Sequence, residues 1–494
     1  MIANCLNGEL LGRDVTGLLK LAQDIKRLSV AGGLVAALTC CASLGPDVPE
    51  PNLAIPADWA ESDHSSLTTD LSEYWRLLDD PLIDRYVEQA VFANRDLAQA
   101  AARVDQARAQ RDFARGAFFP TISSSVGATR DVGDFARDGV QFSLGGNASW
   151  ETDLFGRISG NLAAAQADLL AAGFSLNDIQ RLVAGQVALA TIDARSRQQQ
   201  LLIARDTLAY QDENLQIARW RVQAGLTSSL DVEQARTQRA QTAATIPSLE
   251  AALAATANSV STLIGEPPGA VLAEFERTAR QPVPGPVMLM GFAPPADVLR
   301  RRPEVRAAEA SLVASVERVG VARAQWLPLV RLTGNIGAGS ATLGNLFDTV
   351  TGGLFAGLDQ LIFDGGRTQA QIENARAVVR GALAAWEQNI LFALEEVESA
   401  AVARRAAQER VVITEEAVDA ANNSAILARS QYQAGLTDFR TLLVAENQLL
   451  SARNQLVGAE ADRATSFVRL SQALGGGWDT KAIGIDSLTD GNDE

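Results

Sequence analysis

Side chains able to do covalent, metal or acid–base chemistry are few and gathered at one end of this sequence. The three cysteines are Cys5, Cys40 and Cys41, and the single histidine is His64. Everything after Cys41 can therefore form no disulfide within itself and offers no thiolate metal site. No nucleophile elbow, phosphate-cradling glycine loop, zinc spacing or paired catalytic motif occurs, so no enzyme constellation, metal or cofactor is expected. A formal net charge of −16 argues against nucleic acid as a general partner.

Cys41 is the residue whose surroundings predict a covalent modification. Lys26 and Arg27 precede an apolar run, Leu28 to Thr39, which has the length of a signal-peptide core and is too short to span a bilayer. Leu38-Thr39-Cys40-Cys41-Ala42 then resembles a bacterial lipobox, and Cys41 rather than Cys40 has leucine at the right distance to become the lipidated residue. The alternative is an ordinary signal peptide with incidental cysteines, since Cys40 stands where a small Gly, Ala or Ser is usual. Glu9, Asp14 and Asp24 make an odd lead for a signal peptide, so translation is expected to start nearer Lys26 than Met1. No charge follows Cys41 directly, which favours sorting to the outer membrane.

The body of the chain states one pattern twice. Ala218 to Gln238 (ARWRVQAGLTSSLDVEQARTQ) corresponds to Ala428 to Gln448 (ARSQYQAGLTDFRTLLVAENQ), with Gly225 over Gly435 at an offset of 210. Upstream, Pro120/Pro328 and Phe155/Phe363 lie 208 apart, because Leu-Phe-Gly-Arg becomes Ile-Phe-Asp-Gly-Gly-Arg. A tandem duplication with one length change accounts for both offsets. Each copy runs helix, two strands, helix, turn, helix.

The first helix is expected over Asp84 to Phe118, with Leu97, Ala101, Val104 and Ala107 or Arg108 on one face and Pro120 as its stop. Val140, Phe142, Leu144, Ala148 and Trp150 alternate with Gln141, Ser143, Asn147 and Ser149 on a strand with one apolar and one polar face. Val330, Leu332, Ile336 and Ala338 repeat that pattern against Arg331, Thr333 and Asn335. Partner strands are expected over Thr121 to Arg130 and Gly353 to Phe363, with Phe355 and Leu361 on the polar side. Such strands suit a membrane barrel with a wet lumen, and equally a half-buried soluble hairpin.

The long helices decide between these. The proline-free run Arg157 to Val222 would extend roughly 100 Å at 1.5 Å per residue, and aromatics are only 5% of the chain, so helix contact is expected through alanine. Each long run stops at Gln-Ala-Gly-Leu-Thr, where Gly225 and Gly435 can adopt the left-handed conformation that ends a helix. Ser228 to Asp231 has the form of a capping box, and Thr437 or Asp438 caps the corresponding helix. Two helical hairpins with tight tips follow. Four strands cannot close a membrane barrel, because single-chain barrels start at about eight strands and an open edge in lipid leaves backbone groups unsatisfied. Strands of this kind in a membrane require oligomerisation, and three chains rather than two leave an open lumen.

Trp150 to Arg157 (WETDLFGR), Phe363 to Arg367 (FDGGR), Arg301 to Glu309 (RRPEVRAAE) and Tyr432 to Phe439 (YQAGLTDF) resemble motifs of the outer membrane factor family, the TolC-like efflux channels, and most closely its NodT-type lipoproteins. The resemblance covers Gly45 to Trp478. It implies an α+β membrane protein made of duplicated long-helix hairpins plus four β-strands per chain. A homotrimer would then form a 12-stranded outer-membrane β-barrel and a periplasmic α-helical barrel, lipid-anchored in a Gram-negative bacterium. It implies docking to a periplasmic adaptor and an inner-membrane pump of the resistance-nodulation-division type, contact with outer-membrane lipid, and export of drugs or other toxic solutes. Strand-to-helix turns fall at Gly156-Arg157 and Gly365-Gly366-Arg367. The tips Gly225, Leu226, Thr227, Gly435, Leu436 and Thr437 become the adaptor contact, and Asp231 and Tyr432 match positions that hold neighbouring hairpins closed. The chain departs from the pattern at Thr437, Thr441 and Val444, where other members carry a gating arginine or acidic residues.

The expected organisation is a signal peptide over 1–40, a lipidated extension over 41–83, a first repeat over 84–265, a linker over 266–296, a second repeat over 297–474 and an acidic tail over 475–494. Met288, Leu289 and Met290 in the proline-rich linker are expected to pack on the helices. The rival is a lipid-anchored coiled-coil scaffold or adhesin without a pore.

Overall fold

The computed structural model describes residues 49, 53–60, 70–134, 139–286 and 293–478. Cys5, Cys40 and Cys41, the signal segment, His64, Met288 to Met290 and the tail beyond Trp478 lie outside them. The described residues divide into a strand unit, within 114–164 and 315–378, and a helical unit, within 49–113, 165–314 and 379–478.

In chain order the elements are α1 (Pro81–Ala93), α2 (Arg95–Gly116), β1 (Thr121–Thr129), β2 (Gln141–Thr152), α3 (Arg157–Gln223), α4 (Ser229–Leu263), α5 (Leu272–Arg277), α6 (Pro295–Arg301), α7 (Pro303–Ala324), β3 (Leu329–Ser340), β4 (Val350–Asp359), α8 (Arg367–Gln433) and α9 (Phe439–Ala473). The halves match in length: α2 and α7 have 22 residues each, α3 and α8 have 67, and α4 and α9 have 35. Among the described residues, no helix is long and apolar enough to cross a membrane.

The helix expected over Asp84 to Phe118 is two helices. Asn94 leaves the helical region (φ −63°, ψ 135°), and its Oδ1 accepts from the amides of Asp96 at 2.8 Å and Leu97 at 3.1 Å, so it ends α1 and caps α2. Its Nδ2 donates to the Leu263 carbonyl at 2.8 Å. An asparagine that satisfies three backbone groups outweighs the helical periodicity around it. Leu97, Ala100, Val104 and Ala107 are buried on α2, with Ala100 in place of the expected Ala101.

The strand unit holds one antiparallel sheet in the order β1-β2-β3-β4. The register puts Phe142 opposite Ala128 and Ser340, Leu144 opposite Val126 and Ala338, and Trp150 opposite Leu332, which in turn faces Ala356. Because side chains alternate with period two, one face carries Ile122, Val126, Phe142, Leu144, Trp150, Leu332, Ile336, Leu354 and Leu358. The other carries Ser123, Ser125, Ser143, Asn147, Ser149, Thr333, Asn335 and Thr351, with Phe355 as its aromatic exception. β4 begins at Val350 and ends at Asp359, earlier at both ends than expected, which leaves Leu361 and Phe363 beyond the ladder. Within one chain β1 and β4 each have a partner on one side only.

The helical unit is built around small residues. Ala184, Ala188, Ala194, Ala257, Ala464 and Ala473 are buried among Ile83, Tyr86, Val87, Val187, Ile192, Val260, Phe275 and Phe467. Alanine lets the backbones approach closely, and bulky groups from α1, α5 and the turn Tyr74–Leu78 pack on the long helices beside Ile192 and Phe467. A second cluster, Leu215, Ala235, Ala425, Ala428, Tyr432, Phe439, Leu442 and Ala445, gathers near the hairpin turns. Pro247 lies inside α4 without ending it.

Candidate gate and docking tips

Both hairpin turns are closed by the same backbone device. Gly225 (φ 71°) donates to the Val222 carbonyl at 3.0 Å and Leu226 to the Arg221 carbonyl at 2.9 Å; Gly435 (φ 74°) donates to Tyr432 at 3.0 Å and Leu436 to Gln431 at 2.8 Å. This paired pattern satisfies the last carbonyls of α3 and α8 and requires a residue tolerant of positive φ. Leu226 and Leu436, one step beyond each glycine, are 70% and 79% exposed. Each tip thus presents an apolar side chain on a rigid turn.

The following helices are capped differently from each other. Ser228 Oγ accepts from the Leu230 amide at 3.3 Å, and the Asp231 carboxylate accepts from the Thr227 hydroxyl rather than closing the reciprocal bond of a capping box. In the second hairpin Asp438 is the cap: its Oδ1 accepts from the Thr441 amide at 2.9 Å and the Thr441 hydroxyl at 2.7 Å. Thr441 is therefore occupied in holding the start of α9. Val444 is half exposed.

Tyr432 is buried, with its ring 5.5 Å from that of Phe439. Arg221 from the first hairpin lies 4.6 Å over the Tyr432 ring and donates to the Tyr432 carbonyl. Burial raises the Tyr432 hydroxyl above its ordinary pKa; Arg221 opposes this, and Asp231 adds to it. The Tyr432 hydroxyl itself is buried without a hydrogen-bond partner among the described residues. Arg221 is the tip residue that the sequence reading missed; its only sequence signal was a cation in the last turn of α3.

At the strand-to-helix turns the glycines have the conformation that demands them, with φ of 77° at Gly156, 68° at Gly365 and 87° at Gly366. Each turn is also closed by an aspartate not singled out in the sequence. Asp153 accepts from the amides of Ile158 at 2.9 Å and Ser159 at 2.8 Å, while Asp364 accepts from Gly366 at 3.0 Å and Thr368 at 2.7 Å. Arg157 pairs with Glu151 at 2.8 Å, and Arg367 is exposed.

Two buried arginines tie the helical unit together. Arg195 is fully buried and spends its donors on Asp80 (2.8 and 3.2 Å), Gln198 (3.3 Å), the Thr278 carbonyl and hydroxyl (3.0 and 2.8 Å) and Gln281 (2.7 Å). Arg302 immediately precedes Pro303, the first residue of α7. It pairs with Glu304 and Glu396 and donates to the Ala473 carbonyl at 2.9 Å, fixing the end of α9. Among the described residues no group of acidic, histidine or cysteine side chains could hold a metal ion.

The family described as outer membrane efflux protein matches residues 86–266 and 295–476. The chain is 31% identical over 92% of its length to the "Toluene efflux pump outer membrane protein TtgF" of Pseudomonas putida, covering 97% of that protein. It is 28% identical over 89% of its length to "Nodulation protein T" of Rhizobium leguminosarum bv. trifolii, covering 95% of it. Among solved structures, the outer-membrane channel OprN superposes with a TM-score of 0.80 at 32% identity, over 88% of this chain and 99% of that one.

Proposed function

The chain belongs to the outer membrane efflux protein family, and from that premise we propose how its parts divide the work of an export duct. The protein is an outer-membrane efflux channel, of a family of transport ducts rather than enzymes. The observation that carries the division is the sheet: one face apolar, one face polar, and both edges open. Lipid accepts the first face and water the second, but the edges cannot stay unpaired in lipid. Three copies, joined edge to edge, give 12 strands around a wet lumen.

The helical unit is the periplasmic part of the channel. Its tips, with Leu226 and Leu436 exposed, dock a periplasmic adaptor that links the channel to an inner-membrane pump of the resistance-nodulation-division type. The gate lies beside them: Arg221 joins the two hairpins of a protomer through the Tyr432 ring and carbonyl, with Asp231 at the start of α4, and their rearrangement opens the exit path. Cys41 carries the lipid that anchors the chain to the outer membrane. The cargo is toxic small solutes, aromatic solvents and drugs among them, in keeping with the toluene efflux function of the relative named for it.

Planar-bilayer recording of the detergent-purified protein tests this reading. A low-conductance channel that opens further with Asp231→Ala, Arg221→Ala or Tyr432→Ala supports both pore and gate. Unchanged conductance in the variants removes the gate assignment, and no conductance from assembled protein of any kind removes the pore.

A further inference from the structure

We propose that Glu446 is the latch acid of the resting channel, joining the two hairpins of each protomer a few turns above the tips. The proposal rests on the channel reading and adds to it a residue that neither the tip motifs nor the sequence repeat marks. Glu446 is only 9% exposed although it is a carboxylate. Asn214 Nδ2 of α3 donates to both its oxygens, at 2.7 and 2.8 Å, and Arg429 of α8 donates to one at 3.0 Å. The Arg429 guanidinium in turn lies 4.7 Å from the ring centroid of Tyr210 on α3. On the adjacent residue, Asn447 Oδ1 accepts from Gln238 Nε2 of α4 at 2.7 Å. At one level, therefore, all four helices of the two hairpins contribute a polar group, and the carboxylate is at the centre.

The chemistry suits a latch better than a permanent weld. The neighbouring contacts near the tips, Leu215, Ala235, Ala425, Leu442 and Ala445, are apolar and non-directional, so helices can slide across them. Hydrogen bonds to a charged, buried acceptor are directional and strong, and they fail together once α9 shifts against α3. Glu446 is also the first acid of α9, the next being Glu460, so no nearby carboxylate on that helix can substitute for it.

Two variants test the latch in full-length, detergent-purified protein whose assembly is checked by size. Glu446→Gln keeps the shape and removes the charge. Asn214→Leu removes the tie to α3 and leaves the acid paired with Arg429, so it carries the test if the first fails to assemble. Arg410→Ala, which breaks the exposed pair with Asp462 between α8 and α9 of one hairpin, is the control. The expected result is a rise of about tenfold in time-averaged conductance for either latch variant, no further rise when both are combined, and wild-type behaviour for Arg410→Ala; tenfold corresponds to ~1.4 kcal/mol in the closed-to-open balance. Combination without addition separates a shared latch from general loosening. Assembled latch variants that conduct like wild type overturn the proposal and leave the channel reading intact. A wild type that never conducts overturns the channel reading instead.

Discussion

Removing Arg195 alone from the buried Arg195–Asp80 pair should destabilise the helical unit more than replacing both partners. Arg195 is fully exhausted as a donor, and Asp80 also accepts from the Leu82 amide at 2.8 Å as the cap of α1. Arg195→Met leaves a carboxylate buried with a single amide donor, a loss of about 3–5 kcal/mol. Asp80→Asn leaves the cap in place, because asparagine caps as well as aspartate. It strips the charge but leaves Arg195 its neutral acceptors on Gln198, Thr278 and Gln281, so the expected cost is about 1.5–3 kcal/mol. The double variant contains no unpaired buried charge and should be more stable than Arg195→Met alone, which requires a coupling energy larger than the whole cost of Asp80→Asn. Asp80→Ala should exceed Asp80→Asn by about 1 kcal/mol, the worth of the cap. Denaturant titration read by pulse proteolysis of the detergent-purified protein measures all four. Additive losses, with the double variant the least stable of the set, would refute the claim that charge compensation is what this site supplies.

Gly265→Ala should be costly and hard to rescue, by about 2–4 kcal/mol in the same assay, since Gly265 has φ of 76° and an added Cβ would meet the Ala93 carbonyl oxygen at 2.5 Å. Gly185→Ala meets only the Gln472 amide, a side chain able to move, so it should cost less and be eased by Gln472→Ala. Glu274 accepts from Tyr86 at 2.8 Å and pairs with Arg85. Burial lifts its carboxyl, but those two hydrogen bonds outweigh it and hold the group below the usual glutamate value of 4.5. A depressed folded pKa means stability present above the unfolded value and lost as pH falls through the folded one. The stability difference between wild type and Glu274→Gln should therefore shrink on acidification, and a difference that grows would contradict the assignment. Leu226→Asp with Leu436→Asp should abolish co-purification with the cognate adaptor while leaving bilayer conductance unchanged.

Much of the architecture was legible because it is periodic or local. The alternation from Val140 to Trp150 announces a two-faced strand, the absence of proline between Arg157 and Val222 announces one long helix, and Gly225 and Gly435 announce its end. These depend on neighbours a few residues away. Asn94 was missed because its break is a side-chain cap hidden within helical periodicity. Asp153 and Asp364 stood inside motifs whose glycines drew attention first. Arg195 with Asp80, 115 residues apart, and Asn214 with Glu446, 232 apart, belong to pairings that only the packed helices create. A charged residue in an alanine-rich helix reads as solvent-facing until its partner is known, and that is why the sites of greatest electrostatic consequence were the least visible.

The central claim is that the open edges β1 and β4 close on neighbouring copies, antiparallel, in a ring of three. Cysteine pairs introduced along β1 (Ser123, Ser125) and β4 (Thr351, Gly353), in a chain that keeps Cys41 for its lipid, would link those edges on oxidation in outer membranes. For at least one pair the account predicts a ladder of covalent species that ends at three chains. A ladder that ends at two, one that continues past three, or the absence of any cross-link at every pairing would contradict it.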